Sequence, residues 1–169
     1  MNNILITGST GFIGSNLLKY FTKRNKIYII LRKKNPTKNK IFTNKKITKI
    51  IYTNYNDLNK KLQKIKANIV IHCATHYIRK HNFNDIQKLS ESNILFGNII
   101  LENLINMKTK KFINFSSVWE DYNAIKDNSA NLYSAYKKGF SFLINYYKKT
   151  FPKIKFYNLM ISDTFGKND

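Results

Sequence analysis

Tyr133 and Lys137 stand in a Tyr-x-x-x-Lys spacing, within the run YSAYK, and on a helix that spacing puts a phenol and an ammonium one turn apart on one face. An ammonium beside a phenol favours the phenolate and lowers its pKa from about 10 toward working pH. A general base for an alcohol proton needs that shift. Upstream, Ser116 and Ser117 close the apolar run KFINFSS, where a serine hydroxyl can hold the same substrate oxygen and its developing charge. Tyr122 and Lys126 share the Tyr-to-Lys spacing, but in a polar stretch where nothing fixes the two groups on one face.

A second chemical device lies near the start of the chain, in ITGSTGFIG. Gly8 can take the backbone angles of a tight strand-to-helix turn, and Gly11 has no side chain to hold a phosphate away from the main chain. Gly14 lets the following helix pack closely. The first helical N–H groups then face the ligand with the positive end of the helix dipole behind them, which makes the turn a pyrophosphate site. Glycine spacing alone is a weak signal; a strand before it and a helix after it, inside the first βαβ unit, strengthen it.

The elements that must position these groups alternate along the chain. Strands are expected at residues 3–7, 26–32, 47–52, 67–74, 111–116 and 154–160, the fourth (ANIVIHCA) with the near-continuous apolar run of a strand covered on both faces. Helices are expected at 13–23, from a cap at Asn56 or Asp57 through 64, at 84–107 and at 132–149, with a basic loop at 33–46 around Pro36. Six strands separated by helices predict one α/β domain over residues 1–169: a Rossmann-like doubly wound parallel sheet with helices on both faces. In that architecture ligands sit at the carboxyl ends of the strands, where the glycine turn, the two serines and the Tyr133 helix all begin.

Composition is globular, with 43% hydrophobic residues and 2 prolines in 169. No apolar run approaches a membrane span and Met1 leads directly into strand residues, so a cytoplasmic protein without a membrane partner is expected. Cys73 is the one cysteine; it can form no intrachain disulfide or cysteine metal cluster, and no metal is expected. The 30 Lys+Arg against 9 Asp+Glu give a net charge of +21, which on its face suggests nucleic acid. The lysines, however, are spread along the whole chain among abundant Asn, Ile, Tyr and Phe, the set that AT-rich codons favour. No helix-turn-helix, zinc-finger or aromatic RNA-binding pattern accompanies them, so no nucleic-acid partner is expected.

Taken in order, ITGSTGFIG, VIHCAT, Ser92-Asn93-Ile94, FSS, YSAYK and the closing DTFGKND resemble the extended short-chain dehydrogenase/reductases of the nucleotide-sugar epimerase/dehydratase group, over essentially the whole chain. FINFSSVWEDY and NLYSAYKKGF look most like its CDP-abequose synthase-like branch of sugar ketoreductases. The resemblance implies an NAD(P)-dependent oxidoreductase or epimerase acting on a nucleotide-activated sugar, for surface polysaccharides. It makes Tyr133 the proton-transfer residue, Lys137 the residue that binds the nicotinamide ribose and tunes Tyr133, and Ser117 the hydroxyl partner, with Ser116 its alternate. Thr7, Gly8, Thr10, Gly11, Phe12, Ile13 and Gly14 then line the pyrophosphate turn, and Ala74 and Thr75 contact the cofactor beyond the fourth strand. Asn93 supports the active-site backbone, and His72 and His76 carry no assigned role.

Cofactor choice turns on the end of the second strand, where Arg32-Lys33-Lys34 replaces the acidic residue that would bind the ribose 2′-OH of NAD. A guanidinium can grip a 2′-phosphate bidentately, so NADP is preferred over NAD. Dehydratases of the family carry an Asp-Glu pair directly after the hydroxyl residue; here Val118 and Trp119 stand there, and Glu120 and Asp121 follow two residues late, favouring simple redox over dehydration. Relatives continue beyond a sixth strand into a sugar-binding lobe, so the resemblance implies a chain lacking the C-terminal substrate lobe. A non-catalytic dinucleotide-binding module that requires a partner chain is the competing reading. Family members commonly dimerise through the long helix and the Tyr-bearing helix, a role open here to Phe140, Phe142, Leu143 and Tyr146.

Overall fold

A computed structural model describes residues 1–32 and 40–166. Residues 33–39 of the expected loop, with Lys33, Lys34 and Pro36, and residues 167–169 of the closing segment lie outside the described residues. Six strands, β1 (Asn3–Thr7), β2 (Lys26–Arg32), β3 (Ile47–Tyr52), β4 (Ile69–His72), β5 (Lys111–Ser117) and β6 (Lys155–Ile161), form one parallel sheet in the order β3-β2-β1-β4-β5-β6. The order reverses between β1 and β4, opening a crevice at their carboxyl ends.

Helices α1 (Phe12–Phe21), α2 (Tyr55–Leu62), α3 (Asp85–Ser90), α4 (Phe96–Glu102) and α5 (Leu132–Thr150) cover the sheet. Two apolar cores result, as a sheet buried on both faces requires. Leu5, Val70 and Phe112 pack with α2, α4 and α5 on one face, while Ile4, Ile6, Ile27 and Ile29 pack with Leu18 of α1 and with Phe42 on the other. Each such fully buried side chain contributes roughly 1.5–3 kcal/mol. Coverage on the α1 side ends before β6, where Tyr157 and Leu159 stay 43% and 42% exposed.

Local differences from the sequence reading have identifiable causes. The cap of α2 is Asn54 rather than Asn56 or Asp57: its backbone is extended and its side chain accepts from the Asp57 amide at 2.9 Å. The long helix is interrupted by a π-helical segment at Glu91–Leu95 and stops at Glu102, where the Asn103 side chain donates to Ile99 O and Asn59 Oδ1. Inside the expected basic loop, Lys40–Thr43 forms a 3₁₀ turn that buries Phe42. β5 extends one residue further than read, to Ser117, and β6 starts at Lys155 because Ile154 closes a turn on Phe151 O. Phe140 is 1% exposed and belongs to the core, while Phe142 and Tyr146 point outward at 62% each.

Candidate active site

The glycine turn is built as its residue types require. Gly8 sits at φ +65°, where L side chains are strained, and a Cβ there would lie 2.6 Å from Ala74 N and 2.7 Å from the Cys73 carbonyl carbon. A Cβ on Gly14 would meet Gly8, its carbonyl carbon at 2.7 Å, so α1 seats directly on the turn. At Gly11, among the described residues, a Cβ would meet only Gly8 O, at 3.4 Å. The turn closes with Gly11 N donating to Gly8 O at 3.0 Å, and among the described residues no side chain caps α1. Its first amides lack intrahelical partners, as at any helix start.

Thr7 departs from the sequence reading. Rather than lining the turn, it is fully buried; its hydroxyl accepts from Ala74 N at 3.2 Å and meets His72 Nδ1 at 2.9 Å. His72 is packed among Phe96, Phe112 and Phe140, and burial pushes its pKa down to about 3. The ring is therefore neutral, and its hydrogen bond with the Thr7 hydroxyl ties β1 to β4 at the floor of the crevice. Just beyond, Asn93 of the π-helical segment is 3% exposed and clamps the β4 loop: it accepts from Thr75 Oγ1 and His76 N, both at 2.8 Å, and donates to His76 O at 3.0 Å.

Tyr133 and Lys137 lie on the first turns of α5, started by an Asn131–Ser134 capping box. Lys137 Nζ is buried and donates to Phe115 O at 2.5 Å; burial pushes its pKa down to about 8, against the pull of Glu120. The Tyr133 phenol is raised above its usual value, mainly by burial and only partly offset by the Thr75 hydroxyl. The sequence reading had Lys137 lowering it. The ammonium is directed at the Phe115 carbonyl instead, so burial decides the sign. Tyr122 and Lys126 lie in the irregular segment after β5, where Asn123 and Ala124 have positive φ, and share no helical face.

The two serines part company. Ser116 is 2% exposed and donates to Glu120 Oε1, with Ser141 Oγ at 3.4 Å. Ser117 is half-buried, caps the turn by accepting from Trp119 N at 3.2 Å, and offers its amide to Glu120 Oε1 at 3.3 Å. Glu120 is itself 2% exposed, takes Ser141 Oγ at 3.0 Å, and has its pKa raised by burial first. Asp121 turns outward to Lys138 at 2.7 Å.

One cavity of about 810 Å³ joins these parts, within the range of cofactor sites. Gly8, Thr10, Gly11, Phe12, Ile13 and Gly14 form its floor. Arg32 stands at one end, Ala74 and Thr75 in the middle, and Ser116, Ser117, Tyr133 and Lys137 at the other. Every expected site residue except Thr7 lines it. Sequence reasoning missed Tyr77 and Trp119, whose rings lie 6.0 Å apart with Tyr77 also 5.1 Å from Tyr133. It also missed Lys88 and Ser92 on the wall opposite Arg32; their spacing one turn apart, ending beside Asn93, was the available signal. Among the described residues no cluster of His, Cys, Asp or Glu could hold a metal ion, and no helix is long and apolar enough to cross a membrane.

A six-stranded parallel sheet with a glycine turn at its switch point defines a Rossmann-like fold. The chain belongs to the NAD dependent epimerase/dehydratase family, which it matches over residues 4–169. It is 30% identical to the CDP-abequose synthase of Salmonella muenchen over 98% of its own length and 54% of that protein's. It is 33% identical to the dTDP-D-glucose 4,6-dehydratase of Dictyostelium discoideum over 89% of its own length and 41% of that protein's. Its fold is that of the UDP-glucuronic acid 4-epimerase of Bacillus cereus, crystallised with NAD, with a TM-score of 0.79 at 24% identity over 99% of this chain and 58% of that one. The Bordetella bronchiseptica enzyme WbmH, in complex with NAD+, gives a TM-score of 0.81 at 15% identity over 100% of this chain and 58% of that one. The chain thus spans about half the length of the curated relatives it matches.

Proposed function

We propose that this chain binds a nicotinamide dinucleotide along the strand ends and carries out oxidation or reduction at a carbon of a nucleotide-activated sugar. The observation that carries the reading is that the glycine turn, Ser117, Tyr133 and Lys137 open on one cavity. The residues fit such a cofactor: free first-turn amides for the pyrophosphate, a glycine at Gly11 that packing does not demand, and a cationic end at Arg32. Arg32 supports NADP over NAD.

When bound, the nicotinamide supplies the hydride donor or acceptor. Ser117 holds the reacting sugar oxygen, and Tyr133 gives that oxygen a proton in ketone reduction or takes one in alcohol oxidation. Lys137 holds the nicotinamide ribose. Glu120 supports redox over dehydration, because it is turned into the core onto Ser116 and Ser141 and, like Asp121, does not line the cavity. Similarity to CDP-abequose synthase supports a place in surface-polysaccharide sugar synthesis. The outward Phe142 and Tyr146 support a homodimer through α5.

A second reading, a dinucleotide-binding module completed by a partner chain, draws on the open face of β6. Titration with NADPH and NADH, followed by hydride exchange with a panel of nucleotide sugars, separates the two. Turnover that Tyr133→Phe abolishes supports the enzyme; dinucleotide binding without turnover supports the module.

A further inference from the structure

We infer that Arg32, Lys88 and His76 form a clamp across the cavity for the 2′-phosphate of a phosphorylated dinucleotide, with Lys88 and His76 supplied by the wall opposite β2. The inference rests on the cofactor reading above and assigns two residues to it. Arg32 already spans the groove: its Nε donates to Tyr52 Oη at 3.1 Å, and its Nη2 donates to Ser92 Oγ at 3.4 Å on the π-helical segment. The guanidinium is thus fixed in place while three of its five N–H donors stay uncommitted to those partners.

Lys88 lies one turn before Ser92 and lines the same cavity from an exposed position on α3. His76 completes the group. Asn93 pins its backbone through both N and O, and its Nε2 is buried without a hydrogen-bond partner among the described residues. The ring senses both cations: burial first, then Lys88 and Arg32, lower its pKa, with Asp85 of α3 opposing. Glu91 acts on Arg32 in the opposite sense to burial. Two cations and an orphan ring nitrogen, which donates as the Nε2–H tautomer, line one cavity and suit a dianionic phosphoryl group better than the neutral hydroxyl of NAD.

The test uses the full chain and measures binding alone, by fluorescence titration of NADPH and NADH and by competition with adenosine 2′,5′-bisphosphate against AMP. Lys88→Met and His76→Phe are each expected to weaken NADPH and the bisphosphate about tenfold, with less than about a twofold change for NADH and AMP. Lys88 is exposed, so its variant folds, and circular dichroism checks both. Equal losses for NADPH and NADH overturn the clamp by assigning the charge to the pyrophosphate, and unchanged NADPH affinity overturns it outright. Failure of the wild-type chain to bind either dinucleotide instead sinks the cofactor reading.

Discussion

Gly11→Ala separates two jobs that the opening turn combines. The φ of Gly11 is −81°, which alanine adopts freely, and among the described residues its Cβ would touch only Gly8 O at 3.4 Å. Alanine is a poorer cap than glycine by a few tenths of a kcal/mol or somewhat more, while stiffening the unfolded chain returns about 0.4–1 kcal/mol. The two nearly cancel, so unfolding free energy shifts by less than about 1 kcal/mol. Gly11, however, lines the cavity beside the first residues of α1, where a methyl would hold a pyrophosphate away from their amides. Losing one charge-assisted hydrogen bond to a pyrophosphate oxygen costs about 1.5–3 kcal/mol, hence a roughly 10- to 150-fold weaker dinucleotide. Urea unfolding and NADPH titration on one preparation read both quantities. Unchanged affinity in a stable variant would refute a pyrophosphate over this turn, and a large loss of stability would refute the separation of roles.

Gly8→Ala behaves oppositely: left-handed φ and a Cβ 2.6 Å from Ala74 N cost about 2–4 kcal/mol of folding stability, read as a lower urea midpoint. His72, with its folded pKa about 3 against 6.5 when free, contributes stability that is full above pH 6.5 and is lost as pH falls through 6.5 toward 3. The slope approaches about 1.4 kcal/mol per pH unit in that window, and His72→Gln flattens it in urea titrations run at stepped pH. Tyr133→Phe removes turnover while leaving NADPH affinity within about threefold, measured by stopped assay and titration.

How much of this was readable from residues depended on the range of the interactions. Gly8 and Gly14 meet each other within one turn of chain, so local spacing reported them faithfully. Thr7 does not: its register partner across β4 is His72, and only that distant pairing turns its hydroxyl away from the cavity. The helix break at Glu91–Leu95 was hidden because apolar spacing carries on through a π-helical segment, while its cause, Asn93 reaching back to residues 75 and 76, is tertiary. On α5 the inward stripe Phe140, Ile144 and Tyr147 has helical spacing and identifies Phe142 and Tyr146 as outward. That distinction was in the sequence, in the period rather than in the residue types.

Burial of the Tyr133 and Lys137 pair also bears on the direction of the proposed chemistry. A phenol raised above its ordinary pKa is neutral at working pH, and a neutral phenol is ready to protonate the alkoxide that forms when a ketone is reduced. Oxidation needs the phenolate first, and the cation that would stabilise it spends a proton on Phe115 O while its own pKa falls to about 8. Glu120 reinforces the bias at the phenol itself, since its charge acts to raise the Tyr133 pKa. On the proposed function, then, the arrangement favours reduction, which stays level through neutral pH and falls as Lys137 and then the phenol lose their protons. Oxidation by the same site has to climb with pH, because each step upward increases the one protonation state that burial disfavours.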